Sequence, residues 1–522
     1  MQSAFDIAVV GSGFAGSLIA MIARRLGRSV VLLEKGKHPR FAIGESSTPL
    51  ANLLLEELSG RYDLPRLRPL TKWGTWQQSY PQLACGLKRG FTFYHHEAGR
   101  EFSDNDAHQK QLLVAASPND RIADTHWYRP DFDAFFVEEA KQLGVTYLDE
   151  VDLWGVNMEP KRPVIQGRHG GQPLEIHAEF IIDATGPRGF LHRALDLPEL
   201  PLPHLPATQA FFSHFVGVQP SGCSGHTLQR ELPPYPPDDA ALHHVFDGGW
   251  MWVLRFNNGI TSAGVALTAK LANELSLARG EAAWRQLLEK FPGVRAQFAD
   301  AKATLPFVHT KKLSFLSGEA AGANWALLPS TAGFIDPLLS TGFPLTLLGV
   351  SRLSQIIETK WGHADFATEL SNYSMQTTME LVSAGRLVAA LYASMHDFEL
   401  FRALTLLYFA AASYTESARR LGKPQLAGGT FLLGEHPTFA ARCRACAEAA
   451  LRHPTGARRD LLLRAIQQAI QPVDIAGLGQ ERRNWYPARA EDLFANADKL
   501  HATRAEIQAM LERCGFNQAL VR

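Results

Sequence analysis

One turn near the start constrains this chain more than any other feature of its 522 residues. Asp6-Ile-Ala-Val-Val10 is apolar and β-branched, and reads as a short buried strand stopped by glycine. Gly11-Ser-Gly13-Phe-Ala-Gly16 follows, and Ser17 to Leu26 carries helix-compatible apolar spacing. A second buried strand, Arg28 to Leu33, ends at Glu34. Gly11 permits the tight turn, Gly13 lets the backbone approach a pyrophosphate, and Gly16 lets the helix lie close on the strand. The helix N-terminus then offers free N–H groups and partial positive charge to the phosphates. Glu34 stands where a carboxylate accepts hydrogen bonds from ribose hydroxyls. Strand, turn, helix and acid agree, so the segment reads as a dinucleotide fingerprint within an α/β fold.

Composition narrows the rest. Apolar residues make up 46 % and charged residues 20 %, close to the globular average, which excludes collagen-like, coiled-coil and wholly disordered chains. Lys+Arg and Asp+Glu are both 52, so no dominant basic field, and no nucleic-acid partner that would need one, is expected. No run of about 18 apolar residues occurs, so no membrane span is expected. The N-terminus lacks a basic region ahead of its first strand and does not read as a signal peptide. Five cysteines (Cys85, Cys223, Cys443, Cys446, Cys514) are too few and too scattered for a disulfide framework, which suits the cytoplasm. Cys443 and Cys446 form a CxxC pair, but no second pair or histidine set accompanies it and Phe439 to Arg452 reads as helix, so no metal is expected.

Three later segments choose between nicotinamide and flavin. Phe180-Ile-Ile-Asp-Ala-Thr-Gly186 resembles the small-residue turn of FAD-dependent oxidoreductases. Arg129-Pro-Asp-Phe-Asp133, opening a helix, resembles the arginine segment of FAD monooxygenases, where a guanidinium can pair with the pyrophosphate. Gly333-Phe-Ile-Asp-Pro337 resembles the late segment that brings a helix N-terminus toward the flavin. Four further segments are more specific: Phe41-Ala-Ile-Gly-Glu-Ser-Ser-Thr-Pro49, Leu87-Lys-Arg-Gly-Phe-Thr-Phe93, Gly248-Gly-Trp-Met-Trp-Val-Leu254, and Gly333 to Gly342 with its Asp-Pro-Leu-Leu-Ser-Thr-Gly ending. Together they resemble the flavin-dependent halogenases, over roughly residues 5 to 410. The pattern His243-His-Val-Phe-Asp-Gly-Gly-Trp250 and the flank Asn257-Asn258 are most similar to the branch that chlorinates the pyrrole ring in pyrrolnitrin biosynthesis. Two departures stand out: Arg255 replaces the proline of the tryptophan signature, and Leu328-Pro-Ser330 replaces a glycine-aspartate pair.

The resemblance implies a reaction and a set of residues. Reduced FAD, supplied as FADH2 by a separate flavin reductase, would turn O2 and chloride or bromide into hypohalous acid. Lys88, on the loop after the first helical layer and across a tunnel from the flavin ring, would steer the halogen onto the substrate. Gly11, Gly13, Phe14, Ala15, Gly16, Glu34, Lys35, Ile43, Gly44, Glu45, Ser46, Ser47, Arg129, Gly186, Phe334, Asp336 and Pro337 would bind FAD. Backbone amides at Thr341 and Gly342 would hold the halide. Trp250 and Trp252 alternate at strand period and share one face, a wall between flavin and substrate. Tryptophan halogenases carry a glutamate two residues before that threonine, whereas this chain has Leu339, so the expected substrate is an electron-rich phenol or pyrrole, either free or tethered to a carrier protein.

The expected organisation is a discontinuous Rossmann-like FAD-binding domain of the FAD-monooxygenase type (1–70, 110–195 and 310–360), a β-sheet substrate domain (71–109 and 196–309) and a mostly helical C-terminal region (361–522). Leu200 to Pro206 and Pro233-Pro-Tyr-Pro-Pro237 read as loops. The competing functions on this fold are an FAD-dependent aromatic hydroxylase or dehydrogenase, if Arg255 opens the tryptophan wall, and a catalytically silent flavoprotein.

Overall fold

The computed structural model describes residues 2–158, 162–222, 232–480 and 484–516. Cys223 lies outside them. Two sheets organise the chain. In the first, β1 (Gln2–Val10) leads through helix α1 (Phe14–Arg25) to β2 (Val30–Leu33), and the two strands pair in parallel. Helix α2 (Pro49–Arg61) begins with Pro49 in its first turn, capped by Thr48. The next strands are β3 (Cys85–Lys88), β4 (Gly90–His95), β5 (Gln111–Ala115) and β6 (Asp124–Trp127). They are followed by β7 (Thr146–Leu148), β8 (Val151–Asn157), β9 (Val164–His169) and β10 (Gln172–Asp183).

The parallel core runs β7, β2, β1, β10 and strand Trp325–Leu327. Its carboxyl ends are in register at Leu148, Leu33, Val10, Asp183 and Leu327. Chain order reverses at β1, and in open parallel sheets ligands bind outside the carboxyl ends at that switch point. Burial on both faces explains the continuous apolar runs of β1 and β2. The second strand begins at Val30 rather than Arg28: the Arg28 amide still returns to the Ala23 carbonyl of α1, and Ser29 is held by Asp6 and Ile7 just ahead of the ladder.

The second sheet adds β11 (Thr208–Val216), β12 (Ala241–Phe246), β13 (Gly249–Arg255) and β14 (Thr261–Thr268) to β4 and β5. Two features depart from the sequence reading. Strand β5 pairs with β4 in this sheet, although residues from 110 were expected with the FAD-binding segments. The helical tail contributes strand Trp485–Tyr486, which pairs in parallel with Leu113 and Val114 at the sheet's edge. Helices Glu281–Lys290 and Ala269–Leu275 cover one face, where Met251, Val253 and Trp284 pack. The other face, with Trp250, Trp252 and Leu254, joins the main core. Helices Gly342–Lys360, Phe366–Ala393 and Phe398–Arg420 close that core. Among the described residues no helix is long and apolar enough to cross a membrane.

Candidate active site

The fingerprint turn is packed so tightly that Gly11 and Gly16 are obligatory. Gly11 has φ +97, and a Cβ there would lie 2.7 Å from the Ala184 carbonyl carbon. A Cβ on Gly16 would lie 1.9 Å from the Gly11 oxygen. At Gly13 the neighbours are guanidinium groups: an added Cβ would meet Arg129 Nη2 at 3.4 Å and Arg40 Nη2 at 3.9 Å. Arg129 is gripped by Asp133 through two 2.8 Å hydrogen bonds and donates to the Gly44 carbonyl at 2.8 Å and the Ile43 carbonyl at 3.2 Å. Asp133 also accepts from the Phe14 amide. One helix turn thus ties the start of α1 to the strap 43–47. The Phe14 ring packs edge-on against Trp127 and Phe343. The amide of Gly186 donates to Thr331 Oγ1, and buried Asp183 clamps Thr185 and Leu191.

Glu34 is 7 % exposed and accepts from the Ser12 amide and hydroxyl, the Gly36 amide and Arg40. Burial alone would raise its carboxyl, but Arg40 and these hydrogen bonds hold it down to about 2. A lowered carboxylate stabilises the fold fully above its unfolded value, and that contribution disappears as pH falls through about 2. The melting-temperature advantage of the native chain over Glu34→Gln is therefore expected to be largest above pH 5 and to shrink steadily on acidification, read by calorimetry. A constant difference across that range contradicts it. Lys35 behaves otherwise. Its side chain is 86 % exposed and its nearest acid is Asp152 at 3.9 Å, because the chain turns outward after β2.

Lys88 is the last residue of β3 rather than part of a loop, since β3 pairs antiparallel with β6 and sets Lys88 opposite Asp124. Its side chain is wholly buried. Nζ donates to Ser46 Oγ at 2.8 Å and to the Ser47 carbonyl at 2.5 Å, and lies 3.8 Å from the Phe91 ring centroid. The amine thus sits directly beneath the strap. Burial pushes the ammonium below its usual range, with Asp124 pulling the other way. Ser47 is pinned by Thr125, and Glu45 faces His214 across 2.7 Å. Ile43 is 41 % exposed and contributes its carbonyl alone.

The indoles of Trp250 and Trp252 lie with centroids 5.7 Å apart, 1 % and 5 % exposed. Trp250 Nε1 donates to Asp336 and Tyr392, Tyr392 donates to Asp336 at 2.8 Å, and Asp336 accepts the Leu338 amide. Burial pushes Asp336 up to about 6 against these bonds. The wall is therefore fastened to the Asp336-Pro337 segment. Phe334 is half-buried and paired with Phe315. Leu339 (φ 65) and Ser340 (φ 54) are consecutive left-handed residues without being glycine, a conformation costing about 1–3 kcal/mol each. They turn the chain into helix Gly342–Lys360, with Thr341 buried and open space around Gly342. Arg255 points away from the indoles. It sits on the opposite face of β13 and binds Asp238 and the carbonyls of Val218 and Gln219.

Beyond Lys88 lies a cavity of about 180 Å³. Phe91, Asn52 and Asp124 form its inner wall, Tyr408, Glu416 and Arg420 its side, and Tyr486, Met510 and Phe516 of the tail its outer wall. Lys88 itself stands behind that inner wall. The site thus includes residues the sequence reading did not single out for a role: Asp133, Arg40, Asn52, Asp124, Tyr392 and Tyr408. Only Asp133 carried a local signal, its i+4 spacing from Arg129 on a helix.

A glycine cradle at the switch point, a ribose-type carboxylate and a guanidinium beside the phosphate turn fit FAD. The FAD dependent oxidoreductase family matches residues 6–308, more than half of the chain, and the chain belongs to that family. Its relatives include several halogenases. It is 27 % identical over 411 residues to monodechloroaminopyrrolnitrin halogenase PrnC of Pseudomonas fluorescens, covering 77 % of this chain and 70 % of that protein. It is 28 % identical over 418 residues to tetracycline 7-halogenase of Kitasatospora aureofaciens, covering 78 % and 73 %. Its fold matches that of halogenase PltM in complex with phloroglucinol and FAD, with TM-score 0.79 and 22 % identity over 92 % of this chain and 99 % of that one.

Proposed function

We propose that this chain is an FADH2- and O2-dependent halogenase that places chlorine or bromine on an electron-rich aromatic of the phenol or pyrrole type in secondary metabolism. The observation that carries the reading is Lys88: a fully buried amine fixed between the strap and the inner wall of a cavity. Buried amines are rare unless they have work to do. The halogenase relatives support the reading over more than three quarters of the chain.

Gly11, Gly13, Gly16, Glu34 and Arg129 would hold FAD, with Arg40 swinging from Glu34 toward the phosphates. When bound and reduced, FAD supplies the reaction with O2 that turns a halide into hypohalous acid. Thr341 and Gly342 would present backbone N–H groups to the halide, whose approach a fixed cation would otherwise bind too tightly. Trp250 and Trp252 keep the substrate from the cofactor. The Lys88 amine donates a hydrogen bond to hypohalous acid, or in its neutral form carries the halogen, and burial favours the second option by opposing the charge. The chain offers no second nucleotide fingerprint, so a separate reductase in the cytoplasm supplies FADH2. The hydroxylase reading depended on Arg255 opening the wall, and that side chain is turned to the other face of the sheet.

The test is direct. Purified chain with FAD, a flavin reductase, NADH, and chloride or bromide is given a panel of free phenols and pyrroles and a carrier-bound pyrrole. Products with the chlorine or bromine isotope pattern are expected. Hydroxylated products without halogenated ones transfer the chain to the hydroxylases.

A further inference from the structure

The carboxylate of Asp336 joins three parts of the chain that lie far apart in sequence. Its Oδ1 accepts the Leu338 amide of its own loop at 2.9 Å and the Trp250 indole N–H at 3.1 Å, and its Oδ2 accepts the Tyr392 hydroxyl at 2.8 Å. Trp250 also donates to the Tyr392 oxygen at 3.2 Å, so the three side chains close a triangle, and all three are buried. Trp250 comes from β13 of the second sheet and Tyr392 from the last turn of helix Phe366–Ala393. Burial and the neighbouring carboxylate keep the Tyr392 hydroxyl protonated, and so a donor. The loop after Asp336 needs such an anchor. Leu339 and Ser340 are consecutive left-handed residues, and side chains persist there only where the surroundings over-determine the backbone. Within the loop the Ser340 amide bonds to the Pro337 carbonyl and the Leu338 amide to Asp336 itself. Among the described residues, the Asp336 side chain bonds outside its loop to Trp250 and Tyr392 only. Two residues after Ser340, helix Gly342–Lys360 begins, and the amides of its first turn have no acceptor within the helix.

Resting on the halogenase reading, we infer that Tyr392 is a positioning residue for the halide: through Asp336 it fixes the turn that presents the Thr341 and Gly342 amides, and through Trp250 it locks that turn to the tryptophan wall. Tyr392 acts through these two side chains rather than on the halide itself. A halide held by converging N–H groups is held by geometry, since every dipole must point at the same small sphere. A slack turn therefore weakens capture of the halide, while a site filled at high halide concentration still delivers the same chemistry. The C-terminal helices are then more than a cover for the core, because one hydroxyl of theirs sets the first binding step of the reaction.

The test uses holoenzyme with FAD, flavin reductase and NADH, the panel of phenols and pyrroles, and excess taurine to trap hypochlorous acid that escapes. Chloride is varied, and chlorinated aromatic plus taurine chloramine is read by mass. Tyr392→Phe removes one oxygen and keeps the ring. It is expected to raise the KM for chloride by about 10-fold or more, with kcat at saturating chloride within about 3-fold of native and FAD affinity within about 2-fold. Tyr414→Phe is the control, because it removes a hydroxyl that donates to the Lys499 carbonyl at 2.9 Å and has no bond to the loop. It is expected to leave the KM for chloride unchanged even where it lowers the melting temperature as much. A native KM for chloride in Tyr392→Phe overturns the assignment, as does a fall in kcat with KM unchanged. An equal rise in KM from Tyr414→Phe overturns it too, since general loosening then suffices. If Tyr392→Phe does not bind FAD, Trp250→Phe, which withdraws the indole N–H from the same carboxylate, decides by the same rise or its absence. Native enzyme yielding neither chlorinated aromatic nor taurine chloramine at any chloride concentration instead overturns the halogenase reading.

Discussion

Lys88→Ala is expected to lose halogenated product by about 1,000-fold or more while binding FAD within about 2-fold of the native chain, because a positioned donor or base contributes ~10²–10⁴ in rate. The amine contacts the strap through Ser46 Oγ and the Ser47 carbonyl, and the strap is also tied to β6 by the Ser47 amide and hydroxyl on Thr125 and by the Trp127 amide on Glu45. The scaffold therefore tolerates the change. Removing a desolvated ammonium also relieves the cost of burying it, so thermal stability should be unchanged or higher. Mass spectrometry of products and fluorescence titration of FAD measure the two arms. Retained product at native rate means that chlorine transfer does not pass through this amine. Equal loss of FAD binding means the lysine is a prop for the strap.

Gly16→Ala is expected to be as damaging for a different reason. The added methyl would stand 1.9 Å from the Gly11 carbonyl oxygen and 3.0 Å from the Ala184 Cβ, both on elements that cannot yield separately. Helix α1 must move off β1, which takes its N-terminal amides away from the phosphate position. Overpacking of this kind costs about 1–3 kcal/mol of stability. FAD binding, which depends on that approach, should fall by at least about 100-fold, since misplacement of 1 Å costs that much where geometry is fixed. Gly60→Ala is the control: an added Cβ there meets nothing within 4 Å inside α2, and gains about 0.5–1 kcal/mol of helix stability. Isothermal titration of FAD into both variants separates the cases. A Gly16→Ala chain that binds FAD normally shows that the cradle is softer than its packing.

The parts of the site that were legible in the sequence are the ones made by neighbours along the chain. Gly11, Gly13 and Gly16 work within six residues of one another. The pair Trp250 and Trp252 reads directly from the period of a strand, and both do share a face. Lys88 was legible only as one segment of a family pattern, and its burial needed the partner strand β6. Asp124 was not legible at all. It enters the site through antiparallel pairing with a strand 36 positions earlier, and nothing in Asp-Thr-His-Trp distinguishes a surface strand from the wall of a chamber. The same holds for Tyr392, whose hydroxyl reaches Asp336 from a long helix, and for Arg40, which acts by distance in space from Gly13. The tail is mostly helical, as its sequence reads; its one strand, Trp485 and Tyr486, is too short to show a period, although it completes an eight-strand path across the second sheet.

That late clip on the sheet edge also sets an order of events during synthesis. The glycine cradle, the strap and the amine beneath it are all present once residue 360 has left the ribosome, whereas the outer wall of the chamber waits for residues 486 to 516. In chain order, the segments of the cradle thus precede by well over a hundred residues those that complete the chamber. If that chamber is where the aromatic ring is received, its connectivity makes the resting place of the ring the last part of the site to be completed, after the cradle that would hold the cofactor.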